Sequence, residues 1–259
     1  VPWPAVFRPF SCVMSGVTGI ARSHCSSVQF TEYGAHNTTH YRVLIERKRG
    51  WVRGHPAPWS PRLLAASVDS MKVPSISLEK PALIVVDVQA GFDDSEFWGP
   101  RDNPSCESNI AALVRKWRAE SWPTVFVRHD SDNPQSPLSP AGAGHAVKEI
   151  IDGTPDLLVS KRVNSSFYGT PDLDAWLRNE GIDQVVICGI TTNHCCETTA
   201  RMAGNLGYDT YFVIDATHTF DRVALDGTTV PAATLSVITA TNLHGEFATV
   251  VTTADLLSG

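Results

Sequence analysis

From residue 82 to residue 253, short unbroken apolar runs alternate with longer amphipathic stretches, and few folds accommodate that rhythm. The runs are ALIVVD (82–87), TVFVRH (124–129), DLLVSK (156–161), QVVICG (184–189), DTYFVID (209–215) and FATVVTT (247–253). Each is short and rich in β-branched residues, as expected of strands buried on both faces. Between them, CESNIAALVRKWRAE (106–120) places Ile110, Leu113, Val114 and Trp117 at helical spacing. TPDLDAWLRNEG (170–181) reads as a helix with Thr170 as N-cap, Pro171 in the first turn and Gly181 at its end. NHCCETTARMAGNLG (193–207) and VPAATLSVITATNLHG (230–245) complete the helical set, the latter with Pro231 at its start. Strands alternating with helices predict right-handed crossovers and a three-layer αβα architecture. Its centre is a six-stranded, mostly parallel, Rossmann-like sheet.

The first 70 residues differ in kind. They carry 8 Lys+Arg against 3 Asp+Glu, whereas residues 71–259 carry 13 against 24. They mix Pro, Ser, Arg, His and three Trp without sustained periodicity. The chain therefore divides into an irregular, disordered extension (1–70) and a regular α/β domain (71–259). MKVPSISLEKPALIVVDVQ reads as an ordinary N-terminus, so Met71 is expected to be the natural start. N-terminal sequencing of the natively expressed protein checks this.

Composition narrows the function classes. The chain is 42% hydrophobic and 19% charged, as in globular proteins, and no apolar run approaches a bilayer span. A net charge of −6 argues against a nucleic-acid partner, and the apolar runs against a membrane one. Six cysteines at irregular spacing do not form a disulfide framework, which points to a reducing, cytoplasmic compartment.

In open parallel sheets, sites form beyond the carboxyl ends of the strands. Those ends offer Asp87 with Gln89, His129 with Asp130, Lys161 with Arg162, the loop 189–196, and Asp215. Cys195 sits at an expected helix start, where free N–H groups and the positive dipole end favour a thiolate and can hold an oxyanion. Lys161 would lower its pKa further. Asp87 could take the thiol proton and later protonate a leaving amine. An acid, a cation and a thiol on one edge describe acyl transfer. Gln89, Phe92, His129 and Phe167 are candidates to line the substrate pocket. Cys106, Cys188 and Cys196 read as packing thiols, Asp215 as a structural acceptor, and His194 as a rim or cap residue.

The segments ALIVVDVQAGF (82–92), SKRVNSSFYGT (160–170) and GITTNHCCETTARMAGNLGYD (189–209) resemble the isochorismatase-like cysteine hydrolases. That family includes nicotinamidases, N-carbamoylsarcosine amidases, ureidoacrylate amidases and streptothricin hydrolase, and the C-terminal part looks most like the last. The resemblance covers about Ala82 to Leu257. It implies an Asp87–Lys161–Cys195 triad, with Cys196 standing where the family usually has Val. It also implies a non-proline cis peptide at Ile190–Thr191, and an oxyanion hole from the Thr191 and Cys195 amides. Zinc-containing members have an Asp-x-His pair after the second strand; RHDSDNP (128–134) lacks it, so no metal and no cofactor are expected. The expected activity is hydrolysis of an amide, lactam or ureido C–N bond of a small molecule through a thioester. The expected assembly is a dimer or tetramer. A zinc nicotinamidase and a non-catalytic binding protein that retains the fold are the alternatives.

Overall fold

The structure, a computed structural model, describes residues 76–151 and 153–258, together with the backbone of residues 28–34 and 39–45. The chain forms two units, 1–68 and 69–259. In the first, β1 (Val28–Gly34) pairs antiparallel with β2 (Thr39–Ile45). The expectation of an irregular, disordered segment otherwise lies outside the described residues, as does Met71.

The second unit contains the alternation read from the sequence. Its elements begin β3 (Ala82–Val86), α1 (Ser95–Trp98), α2 (Cys106–Ala119), β4 (Thr124–His129), β5 (Leu157–Lys161) and α3 (Leu173–Asn179). They continue with β6 (Gln184–Ile190), α4 (Glu197–Asn205), β7 (Asp209–His218), β8 (Arg222–Val223) and β9 (Thr229–Val230). The last three are α5 (Ala232–Leu243), β10 (Thr249–Val251) and α6 (Thr253–Leu257). Six strands form one sheet in the order β10-β7-β6-β3-β4-β5, every pairing parallel, and β8 and β9 form a small antiparallel hairpin.

Strand alternation divides the core into two halves. Leu83 and Val85 of β3 pack with Val186 and Cys188 of β6 against Ile110, Leu113, Val114 and Trp117 of α2 and Leu256 of α6. Ala82, Ile84 and Val86 pack on the opposite face, against Leu173 and Leu177 of α3, Ala200 and Ala203 of α4, and Leu243 of α5. Helices on both faces make the three layers. All five residues of β3 are buried, which is why that strand reads as an unbroken apolar run.

The α3 boundary corrects the expected cap. The helix begins at Leu173, and the Asp172 carboxylate accepts the Ala175 N–H at 3.0 Å. Thr170 instead pairs its backbone with Ser160, and the Thr170–Pro171 bond is cis. A Thr-Pro-Asp stretch offers two capping side chains, and the one nearer the apolar stripe is used. Gly181 follows the helix with φ +68°, as expected of a C-terminal glycine.

Chain order fixes where a site can form. β3, β4 and β5 run toward one edge of the sheet; β6, β7 and β10 run toward the other. The direction reverses between β3 and β6, and the crevice beyond their carboxyl ends is the switch point of the sheet.

Candidate active site

Asp87 follows the last residue of β3, at the switch point. Its backbone adopts φ +51°, an uncommon conformation that Asp tolerates better than most residues. Its N–H donates to Val127 O at 2.9 Å, and its own carbonyl accepts Gln89 N–H at 2.8 Å. The residue is wholly buried.

Lys161 ends β5 and His129 ends β4, and the two are register partners, so their side chains lie side by side. Lys161 Nζ donates to Asp87 Oδ2 at 2.5 Å and to His129 Nδ1 at 3.2 Å. Both side chains of the Asp87–Lys161 pair have zero exposure. Burial opposes the Lys161 ammonium, but Asp87 and Cys195 beside it outweigh that and raise its pKa. Burial, then the Lys161 charge, lowers the His129 pKa and favours the neutral ring. A neutral ring accepting from Lys161 through Nδ1 carries its proton on Nε2.

Cys195 lies on a single π-turn, Thr192–Cys196, between β6 and α4. The Ile190–Thr191 peptide is cis, where the family resemblance places such a bond. Thr192 Oγ1 donates to Thr217 Oγ1 at 2.9 Å, and Thr219 Oγ1 donates to Asn193 Oδ1 at 2.5 Å, tying the turn to β7. Gly189 has φ +129°, and a Cβ there would stand 2.1 Å from Val86 O. Only glycine lets β6 lie against β3 at this point.

Cys195 is partly exposed as a residue, and its sulfur, an Asp87 oxygen and a His129 nitrogen lie within 4.8 Å of one another. Burial and the adjacent Asp87 push this thiol up to about 12, although Lys161 pulls it down. The expectation of a thiol lowered by its place at a helix start is therefore corrected. Desolvation and a neighbouring carboxylate outweigh the lysine and hold the thiol above its ordinary value. Cys196 is wholly buried among Ala200, Ala203 and Ile187. Adjacent residues point in different directions, which separates the two thiols.

The other expected residues divide. His129 joins the cluster. Gln89 does not line a cavity: it is fully buried, and its amide accepts His129 N–H at 2.8 Å and donates to His129 O at 3.2 Å and His145 O at 3.0 Å. It clamps the loop that carries His129. Phe92 is buried and stacked with Phe220 and Trp98, and Phe167 is buried and stacked on Tyr208, so both are mainly core aromatics. Asp215 accepts Thr253 N–H at 2.7 Å and its hydroxyl at 2.9 Å, a structural role. His194 Nδ1 lies 3.5 Å from Arg222 Nη2.

A partly buried ionic group is not legible in the sequence. Glu107 of α2 pairs with Arg101 at 2.7 Å and with Lys148 at 2.7 Å, and Lys148 also reaches Asp93 at 2.6 Å. His218, at the end of β7, is fully buried 3.8 Å from Glu107, and burial holds its pKa down at about 3. Only the polar interruptions of otherwise apolar stretches hint at these residues. A cavity of about 440 Å³ opens between Ala90–Asp94 and the loop 134–144. Another of about 530 Å³, lined by Lys80, Arg118, Trp122 and Trp176, lies at the amino ends of the strands, away from this chemistry.

A thiol beside a buried carboxylate–ammonium pair, at the switch point of a parallel αβα sheet, defines a class of cysteine hydrolases. Residues 81–255 match the isochorismatase domain model, and the chain belongs to that family of hydrolases. It is 45% identical over 181 residues to the uncharacterized isochorismatase family protein YrdC of Bacillus subtilis, covering 70% of this chain and 96% of that one. It is 34% identical over 158 residues to nicotinamidase 3 of Arabidopsis thaliana, covering 54% and 74% of the two chains. Among solved structures, an isochorismatase-family hydrolase of Chromobacterium violaceum superposes with a TM-score of 0.67 at 37% identity, over 71% of this chain and 95% of that one. A cysteine hydrolase of Pseudomonas syringae superposes with a TM-score of 0.64 at 26% identity, over 73% and 97%. Among the described residues, no helix is long and apolar enough to cross a membrane.

Proposed function

We propose that this hydrolase cleaves the C–N bond of a small amide, lactam or ureido compound through a thioester on Cys195. The observation that carries the reading is the Cys195 thiol, on a partly exposed residue, held beside the buried Asp87–Lys161 pair. A carboxylate next to a protonated thiol supplies a base for sulfur and an acid for nitrogen, which C–N cleavage needs in that order.

As Cys195 sulfur attacks the substrate carbonyl carbon, its proton passes to Asp87. The carbonyl π pair moves onto oxygen, where the backbone N–H groups of Thr191 and Cys195 stabilise the charge. Collapse of this adduct breaks the C–N bond, and the Asp87 proton goes to the departing nitrogen. Water then attacks the thioester, losing a proton to Asp87, and the proton returns to sulfur as the acid product leaves. Lys161 holds the Asp87 side chain through its hydrogen bond and balances the thiolate while it exists. His129 presents its Nε2–H to the bound substrate, and the 129–155 loop sets selectivity. The name nicotinamidase, borne by one relative, denotes amide hydrolysis and supports the bond type.

The test is amine or ammonia release from a panel of nicotinamide, a ureido acid, N-carbamoylsarcosine and a cyclic lactam, using the full chain. Turnover of one compound that disappears in Cys195→Ala is the expected result. Turnover that survives Cys195→Ala overturns the reading. So does absence of turnover on every compound when Cys195 also fails to label with iodoacetamide even at pH 9.

A further inference from the structure

Asp87, His129 and Cys195 each aim one donor atom into a common space, and these atoms lie within 4.8 Å of one another. Two independent observations say that the space suits a cation. Asp87 Oδ1 is buried and has no hydrogen-bond partner. The present occupant is itself a cation, since Lys161 Nζ bonds Asp87 Oδ2 and His129 Nδ1 and interacts electrostatically with the Cys195 thiol. One oxygen, one imidazole nitrogen and one sulfur form the borderline-soft donor set that zinc-class ions prefer.

We propose that Asp87, His129 and Cys195 form a site for a soft divalent cation of the zinc class. Lys161 is its built-in competitor, and the bound ion reversibly blocks the nucleophile. Three protein donors leave a fourth tetrahedral position open to water. Bonds of about 2.0–2.3 Å bring tetrahedral donors to roughly 3.3–3.7 Å apart, so the three side chains close inward by about 1 Å. On binding, the thiol releases its proton to solvent, a metal–sulfur bond forms, and the Lys161 ammonium leaves Asp87. No electron is transferred. The donor set is distinct from the Asp-x-His arrangement that RHDSDNP lacks, and it does not depend on the chain's being an amidase.

The probe is Co(II) added to the full chain, because thiolate ligation gives cobalt an intense charge-transfer band and tetrahedral geometry gives strong d–d bands. The native chain is expected to show both at a single equivalent. Cys195→Ala should lose the charge-transfer band. His129→Ala should weaken binding at least about tenfold, since even second-sphere changes cost that much. Lys161→Met should tighten binding at least about tenfold, the reverse of what loss of an ordinary site residue does. Zinc should protect Cys195 from iodoacetamide.

Absence of a thiolate–cobalt band in the native chain, its persistence in Cys195→Ala, or no tightening in a folded Lys161→Met each overturns the proposal. If Lys161→Met does not fold, the native and Cys195→Ala spectra decide. A chain that binds cobalt at Cys195 but cleaves no amide keeps this site and loses the proposed function. An active amidase with no band does the opposite.

Discussion

Asp87 shows how much one residue's surroundings determine. Its buried carboxylate lies beside one ammonium and one thiol, and each neighbour changes what the other can do. Because the Cys195 thiol lies up at about 12, its thiolate fraction grows tenfold with each pH unit across the neutral range. Alkylation by iodoacetamide is therefore expected to rise about tenfold per unit from roughly pH 6 to 9 with no plateau, as pH-resolved mass spectrometry would show. A plateau near neutrality would mean a thiolate already present at rest. Asp87 and Lys161 were legible from the sequence as candidates because each ends an apolar run. The thiol's ionisation was not, because it depends on burial and on a carboxylate more than 100 positions away. Gln89 was misread for the same reason. A polar residue at a strand end suggests a pocket wall, and only the fold reveals that its hydrogen-bonding groups are spent on the backbone of the neighbouring loop.

At the scale of elements, the strands were recognisable because a parallel strand covered on both faces has to be continuously apolar. The helices were recognisable by their stripe, although their ends depended on which capping side chain prevailed, as Asp172 did over Thr170. The β3–β6 contact makes a sharp demand at Gly189, where any side chain would meet Val86 backbone. Gly189→Ala is expected to cost at least about 3 kcal/mol, combining an unfavourable φ with overpacking, as urea unfolding would measure. The α2 end of the site carries its own pH dependence. Burial disfavours the Glu107 carboxylate, but Arg101 and Lys148 prevail and lower it to about 2. Its stabilisation is fully present above the unfolded value of about 4.3 and is lost as pH falls toward 2. Glu107→Gln should flatten stability between about pH 5 and 2 while lowering it at neutral pH, a contrast that thermal melts in a pH series would reveal.

For the whole molecule, residues 69–259 form a compact unit of their own. A chain beginning at Met71 is therefore expected to unfold cooperatively, with a midpoint within a few degrees of the full chain's and Cys195 labelling unchanged. Differential scanning calorimetry and the alkylation assay would show a different outcome if residues 1–70 stabilise the domain. The architecture followed from the alternation. What stayed hidden was the set of ionic contacts among Arg101, Glu107 and Lys148, because no periodicity links residues on a loop, a helix and a distant loop.

The pairing of β3 with β6 also governs how the molecule comes into being. Ala82 lies beside Val185, so the two strands that frame the crevice are separated by about a hundred residues of intervening chain. Closing so large a loop is entropically slow, and topologies dominated by distant pairings fold correspondingly late. During synthesis β3, β4 and β5 emerge long before β6, and until β6 arrives β3 exposes an unpaired central edge. The nascent chain thus carries its most apolar strand in an aggregation-prone form through much of translation. The same topology that places the Cys195 thiol beside Asp87 thus leaves β3 without its inner partner until late in synthesis.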